Sequence, residues 1–222
     1  EIYFSQYLAN QLEFDAENGG ILFDSDFNQR MFRPEFRLTL DPTSNQEIVG
    51  GIGSNLEFLD RHVFEKEVSF NSQYIYVQHS FSALKKLSLI LGGRVDIHSE
   101  YDSQFSPKGS AIYKVNDSFS IKASVGSGFK APDFRQLYLD FTNTTVGYTV
   151  IGNRVENTVI DRLQNSSQIL SLTVDPMDLG QPLDAESSTG INLGLNYQKS
   201  KIDFDLNLFR NDIENLIDTR II

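Results

Sequence analysis

The sequence predicts an all-β fold, an antiparallel up-and-down transmembrane β-barrel of which these 222 residues form a part of about nine or ten strands. Apolar and polar residues alternate through many runs, as expected of strands that have two different faces. The longest regular run has twelve residues, which at a tilt near 45° would cross about 28 Å, enough for the apolar band of a membrane. Short and long connections also alternate, as in barrels with short periplasmic turns and long extracellular loops.

The alternating runs follow one another in order along the chain. In the first clear run Phe32, Phe36 and Leu40 share one face, while Arg33 and Arg37 share the other. The same pattern recurs at 48–58, 87–97, 107–115, 118–129, 191–197 and 202–208, while 74–81 is rich in β-forming residues on both faces. With a strand before residue 15, we expect nine strands, and a tenth that begins after Ile217.

The connections between these runs differ in length. Short turns are expected at 41–45, 82–86, 116–117 and 198–201. Long extracellular loops are expected at 15–31, 59–69, 99–105 and 130–188. A soluble β-sandwich shows the same alternation with its apolar face turned inward, so this alternative stays open at the level of periodicity. Strand length and the regular asymmetry of the connections favour the barrel.

Three separated segments resemble one protein family. The first is Ser-Val-Gly-Ser-Gly-Phe-Lys-Ala-Pro at 124–132, followed by Leu-Tyr-Leu-Asp-Phe at 137–141. The second is Pro-Leu-Asp-Ala-Glu-Ser-Ser-Thr at 182–189, and 208–217 is similar to the strand that comes next. In this order they resemble TonB-dependent outer-membrane receptors. The matched motif positions are Gly126, Gly128, Phe129, Lys130, Ala131, Pro132, Leu183 and Glu186.

The resemblance implies a receptor in the outer membrane of a Gram-negative bacterium. Such receptors capture a scarce nutrient and import it with energy from TonB, so the implied partners are outer-membrane lipid, TonB and a small-molecule ligand. A ferric siderophore is the first expectation, with cobalamin or an oligosaccharide next. A plugged barrel has about 22 strands, so residues 1–222 are expected to be an interior piece, with the plug domain and its TonB-contact motif outside this chain.

Other classes of protein remain as alternatives. A complete barrel of eight to ten strands, a non-transporting barrel that acts as an adhesin or scaffold, and an outer-membrane hydrolase are the competing hypotheses. The chain has no Cys and a net charge of −11, which argues against a thiolate metal site and against a nucleic-acid partner. It has neither a G-x-S-x-G nor an H-E-x-x-H motif. We therefore expect no enzyme activity, no catalytic residues and no cofactor.

The segment 130–188 is the candidate ligand-binding region. It has 59 residues, and connections longer than about 15 residues are usually functional or disordered. Phe134, Arg135, Tyr138 and Asp140 could form a surface that catches the ligand, joined by His98 from the polar face of its strand. The alternative is that 134–141 packs against the rim of the barrel.

No metal site is expected, although one pattern resembles a calcium loop. Asp24, Asp26 and Asn28 alternate with other residues, and Glu35 stands at the twelfth place. Gln29 stands where such a loop needs Gly, so a solvated loop is the favoured interpretation. Haem receptors of the resembling family carry a His between the two motifs, and this chain has none between Pro132 and Leu183.

Overall fold

The structure is a computed structural model that describes residues 1–62, 64, 67–143, 145–167, 169, 171 and 173–222. Nine strands form one antiparallel sheet in the order in which they occur in the chain. They are β1 (Ile2–Phe14), β2 (Ile21–Thr43), β3 (Gln46–Asp60), β4 (Val68–Leu84), β5 (Leu87–His98), β6 (Gln104–Asn116), β7 (Phe119–Lys130), β10 (Glu186–Lys199) and β11 (Ile202–Glu214). The prediction of an up-and-down sheet of nine strands is confirmed.

Residues 131–185 connect β7 to β10, and we call them the insertion. The insertion contains a small hairpin, two α-helices and two short 3-10 helices. These are α1 (Phe134–Tyr138), β8 (Asp140–Asn143), β9 (Tyr148–Ile151), a 3-10 turn at Asn153–Val155, α2 (Glu156–Asn165) and a 3-10 turn at Pro176–Asp178. In the part of the chain that the structure describes, neither helix is long and apolar enough to cross a membrane.

The connections alternate as the sequence predicts. Tight turns at 44–45, 85–86, 117–118 and 200–201 lie at one end of the sheet, which we call the turn end. The longer connections at 15–20, 61–67, 99–103 and 131–185 lie at the opposite end, the loop end. Strands of 12 residues or more therefore run between two chemically different ends.

The pairing register separates a polar face from an apolar face. Phe36 pairs with Ile52 and Ile52 with Ile75, and these side chains are 68%, 57% and 58% exposed. Glu35 and Tyr74, both on the opposite face, pair in turn with Gly53. The apolar face carries no second layer among the described residues, which is contrary to the β-sandwich alternative and fits a face that meets hydrocarbon.

Two predicted boundaries are wrong. The loop expected at 15–31 is a turn of six residues, because β2 already begins at Ile21 and pairs with β1 up to the hairpin. This part of β2 lacks alternation because it extends past the apolar stretch, where both faces can be polar. The strand expected after Ile217 is also absent, since the structure assigns no strand to 215–222.

The hydrophobic core lies at the loop end, on the polar face of the sheet. Phe27, Leu59 and Phe70 project from β2, β3 and β4, and α1 packs its apolar residues onto them. Every buried member of this cluster is less than 10% exposed. The insertion is therefore folded and docked, and its long run of polar sequence is not a structureless loop.

Candidate functional site

The helix α1 anchors the insertion inside the loop end. Asp133 begins the helix with a capping box, in which its carboxylate accepts from the Gln136 amide N–H at 2.8 Å and Gln136 returns a bond to the Asp133 amide. Phe134 is 1% exposed and its ring stacks on Phe70 at a centroid distance of 4.4 Å. Burying a side chain of this size stabilises the docked position by about 1.5–3 kcal/mol.

Arg61 joins the insertion to the strands below it. The side chain is 2% exposed, and its guanidinium donates to the Asp26 carbonyl at 2.8 Å, to Ser25 Oγ at 2.7 Å and to the Tyr138 carbonyl at 2.6 Å. Burial lowers the pKa of Arg61, while the negative charges of Asp140 and Asp26 oppose that shift. A guanidinium keeps its proton in proteins, so this is a buried cation that serves as a triple hydrogen-bond donor.

The β8–β9 hairpin extends the insertion toward the far edge of the sheet. Ser25 Oγ donates to the Asp140 carbonyl at 3.2 Å, and the Gln11 side chain donates to the Thr142 carbonyl at 3.0 Å. The Asp140 carboxylate is buried and receives both terminal nitrogens of Arg162, at 2.6 and 2.9 Å. This hydrogen-bonded pair raises the pKa of Arg162. The insertion thus leaves β7 and reaches across the polar face to β1 and β2.

A second arginine, Arg154, packs against the buried aromatic residues at the loop end. Arg154 lies over the rings of Phe70 and Tyr138, at 5.8 and 5.7 Å from their centroids. It donates to Tyr138 Oη at 2.8 Å and to the Glu100 carboxylate at 3.0 Å. Burial works against the charge, but these two hydrogen bonds outweigh it and raise the pKa of Arg154. The 99–103 connection is in this way tied to the insertion.

Below the insertion the polar face carries a hydrogen-bonded hub. The Glu35 carboxylate accepts from Tyr74 Oη at 2.7 Å, from Tyr76 Oη at 2.9 Å and from Arg37 at 2.8 Å. Both phenols reach it across β3, Tyr74 over Gly53 and Tyr76 over Gly51. A Cβ atom at Gly53 would lie 2.4 Å from Tyr74 Oη, so only glycine leaves this path open.

Next to the hub, Arg94 binds the buried Asp96 carboxylate at 2.6 Å and lies 3.8 Å above the ring of Tyr74. A polar depression of about 260 Å³ lies between these groups. Its lining comprises Glu1, Tyr3, Arg33, Glu35, Arg37, Asn55, Tyr74 and Arg94. Arg37 in this lining is paired with Glu35 and Glu1, and Arg94 is paired with Asp96, as lumen-facing charges require.

The structure separates the predicted ligand-binding residues into buried and accessible ones. Phe134, Tyr138 and Asp140 are at most 9% exposed, so they hold the insertion in place, as the rim-packing alternative expects. His98 joins the same aromatic cluster, 5.8 Å from the ring centroid of Phe70, and accepts from the Glu100 amide at its Nδ1 atom. Arg135 alone among the five is exposed. Direct ligand contact remains a prediction that this geometry favours only for Arg135.

The two family-like motifs meet in space. Gly126, Gly128, Phe129 and Lys130 form the end of β7, with Ala131 and Pro132 leading into α1. Glu186 begins β10 directly opposite Lys130, and the charged groups of these two residues lie 3.8 Å apart. Leu183 packs against the buried cluster. The motifs therefore bracket the insertion and set where it enters and leaves the sheet.

The residues of the calcium-like pattern lie on strand β2. Asp24, Asp26 and Asn28 occupy alternate positions of an extended strand, so their side chains are about 6.6 Å apart along it. Calcium needs oxygens that converge at about 2.3–2.6 Å. The Asp26 carboxylate instead accepts from the backbone of His62, and the Asn28 amide oxygen accepts from Gln6. No group of three or more His, Cys, Asp or Glu residues that could hold a metal is found in the described ranges.

Sequence reasoning missed Arg61, Arg154 and the Glu35 hub. Arg61 and Arg154 lie in no recognisable motif, and Glu35 was considered only as part of the calcium-like pattern. Their partners are far away in the chain, such as Tyr138 for Arg61. The pairing register that aligns Glu35 with Tyr74 could have been found by matching faces of neighbouring strands. No comparable signal exists for Arg61, which follows the last residue of β3 in an irregular connection.

Comparison with known proteins identifies relatives of one kind. A family model described as "TonB dependent receptor-like, beta-barrel" matches residues 2–222. A probable TonB-dependent siderophore receptor PirA of Acinetobacter baumannii is 26% identical over 82% of this chain. The ferric enterobactin receptor PirA of Pseudomonas aeruginosa is 29% identical over 64% of the chain. The chain spans about a fifth of the length of these curated relatives, 22% and 17%.

A solved structure agrees in fold. The crystal structure of the siderophore receptor PirA from Pseudomonas aeruginosa superposes with a TM-score of 0.62 at 21% identity. The match covers 96% of this chain and 39% of that receptor. The nine-stranded sheet and its insertion thus have the fold of a segment of a larger receptor barrel.

Proposed function

Because this chain belongs to the β-barrel family of TonB-dependent receptors, proteins of the Gram-negative outer membrane, we propose that its protein captures a ferric siderophore and imports it with energy supplied through TonB. The chain supplies part of the barrel wall and one folded connection at its mouth. The siderophore class is suggested by relatives that are named siderophore and ferric enterobactin receptors. No catalytic role is proposed for any residue.

The observation that carries this proposal is the docked insertion. Its helix α1 and strand β8 lie on the polar face, where α1 packs on strands β2, β3 and β4 and Arg61 binds the Tyr138 carbonyl at 2.6 Å. A connection placed in this way narrows the mouth, and a narrowed mouth can select and retain a small ligand. An adhesin would need its contact surface to face outward, so the inward docking favours transport.

The exposed side chain of Arg135 lies on α1 next to this buried anchor. A ferric chelate that carries excess carboxylate or catecholate charge would be attracted by a guanidinium held at the mouth. The buried neighbours would keep the helix that carries Arg135 in place, which reduces the ordering cost of binding. We therefore propose Arg135 as a ligand contact and Phe134, Tyr138 and Asp140 as residues that position it.

Uptake by the full-length receptor tests this function. The complete gene would be expressed in a Gram-negative strain that lacks its own siderophore receptors, and uptake of radioiron bound to catecholate, hydroxamate or carboxylate siderophores would be measured. We expect uptake of at least one class, and its loss when TonB is deleted. Uptake of cobalamin or an oligosaccharide, with no siderophore taken up, would assign the cargo to the alternative class.

A further inference from the structure

One sector of the polar face is basic, although the chain as a whole has a net charge of −11. On strands β5, β6 and β7 the register places one carboxylate, Asp96, on this face. The same face of the same three strands carries five cationic side chains, which we call the basic sector: Arg94, Lys108, Lys114, Lys122 and Lys130.

The two members of the basic sector nearest the loop end, Arg94 and Lys130, each have a carboxylate partner that neutralises their charge. Arg94 is paired with Asp96 at 2.6 Å, and Lys130 lies 3.8 Å from Glu186. In contrast, no carboxylate of the described residues lies within ion-pair distance of Lys108, Lys114 or Lys122. These three side chains are exposed. Most of their neighbours on the polar face of these strands are small: Gly92, Ser106, Ser110, Ser120, Ser124 and Gly126.

The cations form a descending series from the loop end to the turn end. Lys108 pairs with Gly92, two residues below Arg94, and Lys122 pairs with Ile112, four residues below Lys108. Lys114 follows two residues further on the same strand as Lys108. At about 3.3 Å per residue the steps are about 7, 13 and 7 Å. The positive charges therefore span much of the wall between the mouth and the opposite end.

We propose that the basic sector is a transit path for an anionic ligand along the wall of the barrel. The proposal rests on the proposed transport function and adds a charge class, namely an iron chelate with net negative charge. A lysine ammonium on a flexible stem is a strongly hydrated point charge, so each one holds an anion weakly and releases it. A ladder of such groups raises the local concentration of the anion at every level without trapping it.

Two other occupants of this wall have to be distinguished. The insertion has an excess of Asp and Glu, which would favour a cationic ligand instead, although Asp140 and Glu156 are paired with Arg162 and Arg220. An acidic surface of a protein segment inside the barrel could also neutralise the lysines. An acidic protein segment bound at one place would not require lysines at several levels between the loop end and the turn end.

The first test separates ligand capture from passage in the full-length receptor. Lys108→Gln with Lys122→Gln removes two charges from the path, and Lys85→Gln with Lys201→Gln removes two from the turns as a matched control. We expect equal siderophore affinity at the cell surface in both variants. We expect initial uptake to fall about 10-fold in the path variant alone, and to recover with Lys108→Arg and Lys122→Arg.

Uptake that equals wild type in the path variant overturns the proposal. So does an equal loss of surface affinity and uptake, which would place the lysines in the capture site. Failure of the arginine pair to restore any uptake also contradicts it, because a guanidinium keeps the positive charge, although it binds an anion more tightly than a hydrated ammonium does.

The second test needs no siderophore and so stays decisive if the proposed cargo is wrong. A cysteine introduced as Ser110→Cys lies on the polar face between the rows of Lys108 and Lys122. In the intact receptor we expect an anionic methanethiosulfonate to react about 10-fold faster than a cationic one. The preference should vanish when both lysines are changed to Gln. Equal rates for the two reagents refute an anion path. A cysteine that reacts with neither reagent refutes it as well, because protein then covers this wall.

Discussion

Replacing Arg61 with Met should release the insertion from the mouth while leaving the barrel folded. Met keeps the aliphatic volume of the side chain but removes three hydrogen bonds, of which the one to the Tyr138 carbonyl at 2.6 Å connects to the insertion. A hydrogen bond from a charged donor contributes about 1.5–3 kcal/mol. Its loss should raise the undocked population of α1 by about 10- to 150-fold.

Hydrogen exchange measured on the intact receptor can detect this change. The amide of Leu139 bonds to the Arg135 carbonyl, and the amide of Gly152 bonds to the Leu139 carbonyl at 2.6 Å. Both should exchange about 10- to 150-fold faster in the Arg61→Met variant if exchange requires undocking. The Arg61→Lys variant should lie between wild type and Met, because an ammonium keeps the charge but cannot reproduce a planar three-way donor.

The location of any change decides the outcome. Amides in the paired centre of β5, β6 and β7 should be unaffected, because none of them contacts Arg61. Unchanged exchange at Leu139 and Gly152 in the Met variant would refute the assignment of Arg61 as the clamp. An equal acceleration throughout the barrel would show that Arg61 supports the whole fold, which is also contrary to the reasoning.

Two further substitutions probe the anchor and the hub. Phe134→Ala removes a ring that is 1% exposed and stacked on Phe70. The substitution should destabilise the docked insertion by about 3–5 kcal/mol and make it sensitive to limited proteolysis. An insertion that stays resistant would contradict the role of Phe134 as the anchor. Gly53→Ala places a Cβ 2.4 Å from Tyr74 Oη and should lower the temperature at which the full receptor unfolds in SDS. Gly128→Ala, whose Cβ would meet nothing closer than 3.7 Å, is the matched control, and equal behaviour of the two glycine variants would argue against the tyrosine crossing.

The class of the fold and the family could both be predicted from the residues of the chain. Alternation is a local property that each strand carries within itself, so the number and order of the strands could be predicted without knowledge of their partners, while the face that is turned inward stayed open at that level. The motifs at 124–132 and 182–189 indicated the receptor family, which the match over residues 2–222 confirms. Prediction failed at 15–31, because strand β2 continues beyond the apolar band and no longer needs an apolar face.

The candidate site was predicted only in part. The sequence predicts that Phe134 and Tyr138 form either a ligand-binding surface or a contact with the rim of the barrel. The sequence of this segment alone cannot distinguish these two roles. Their environment comes from Phe70 and Leu59 on strands that lie more than 60 residues away in the chain. Their burial favours the rim contact, since an enclosed ring has little surface left for a ligand, and a ligand role for the candidate residues stays a prediction.

The contacts that build the mouth could not be predicted from any single segment of the chain. Arg61 has no local pattern around it, and its role exists because the fold brings Ser25, Asp26 and Tyr138 within hydrogen-bond distance of one guanidinium. Strand periodicity depends on which side of the backbone a residue occupies, and this repeats every two residues. A buried hydrogen-bond network depends on the distances between segments that are remote in sequence, and those distances are a property of the assembled sheet alone.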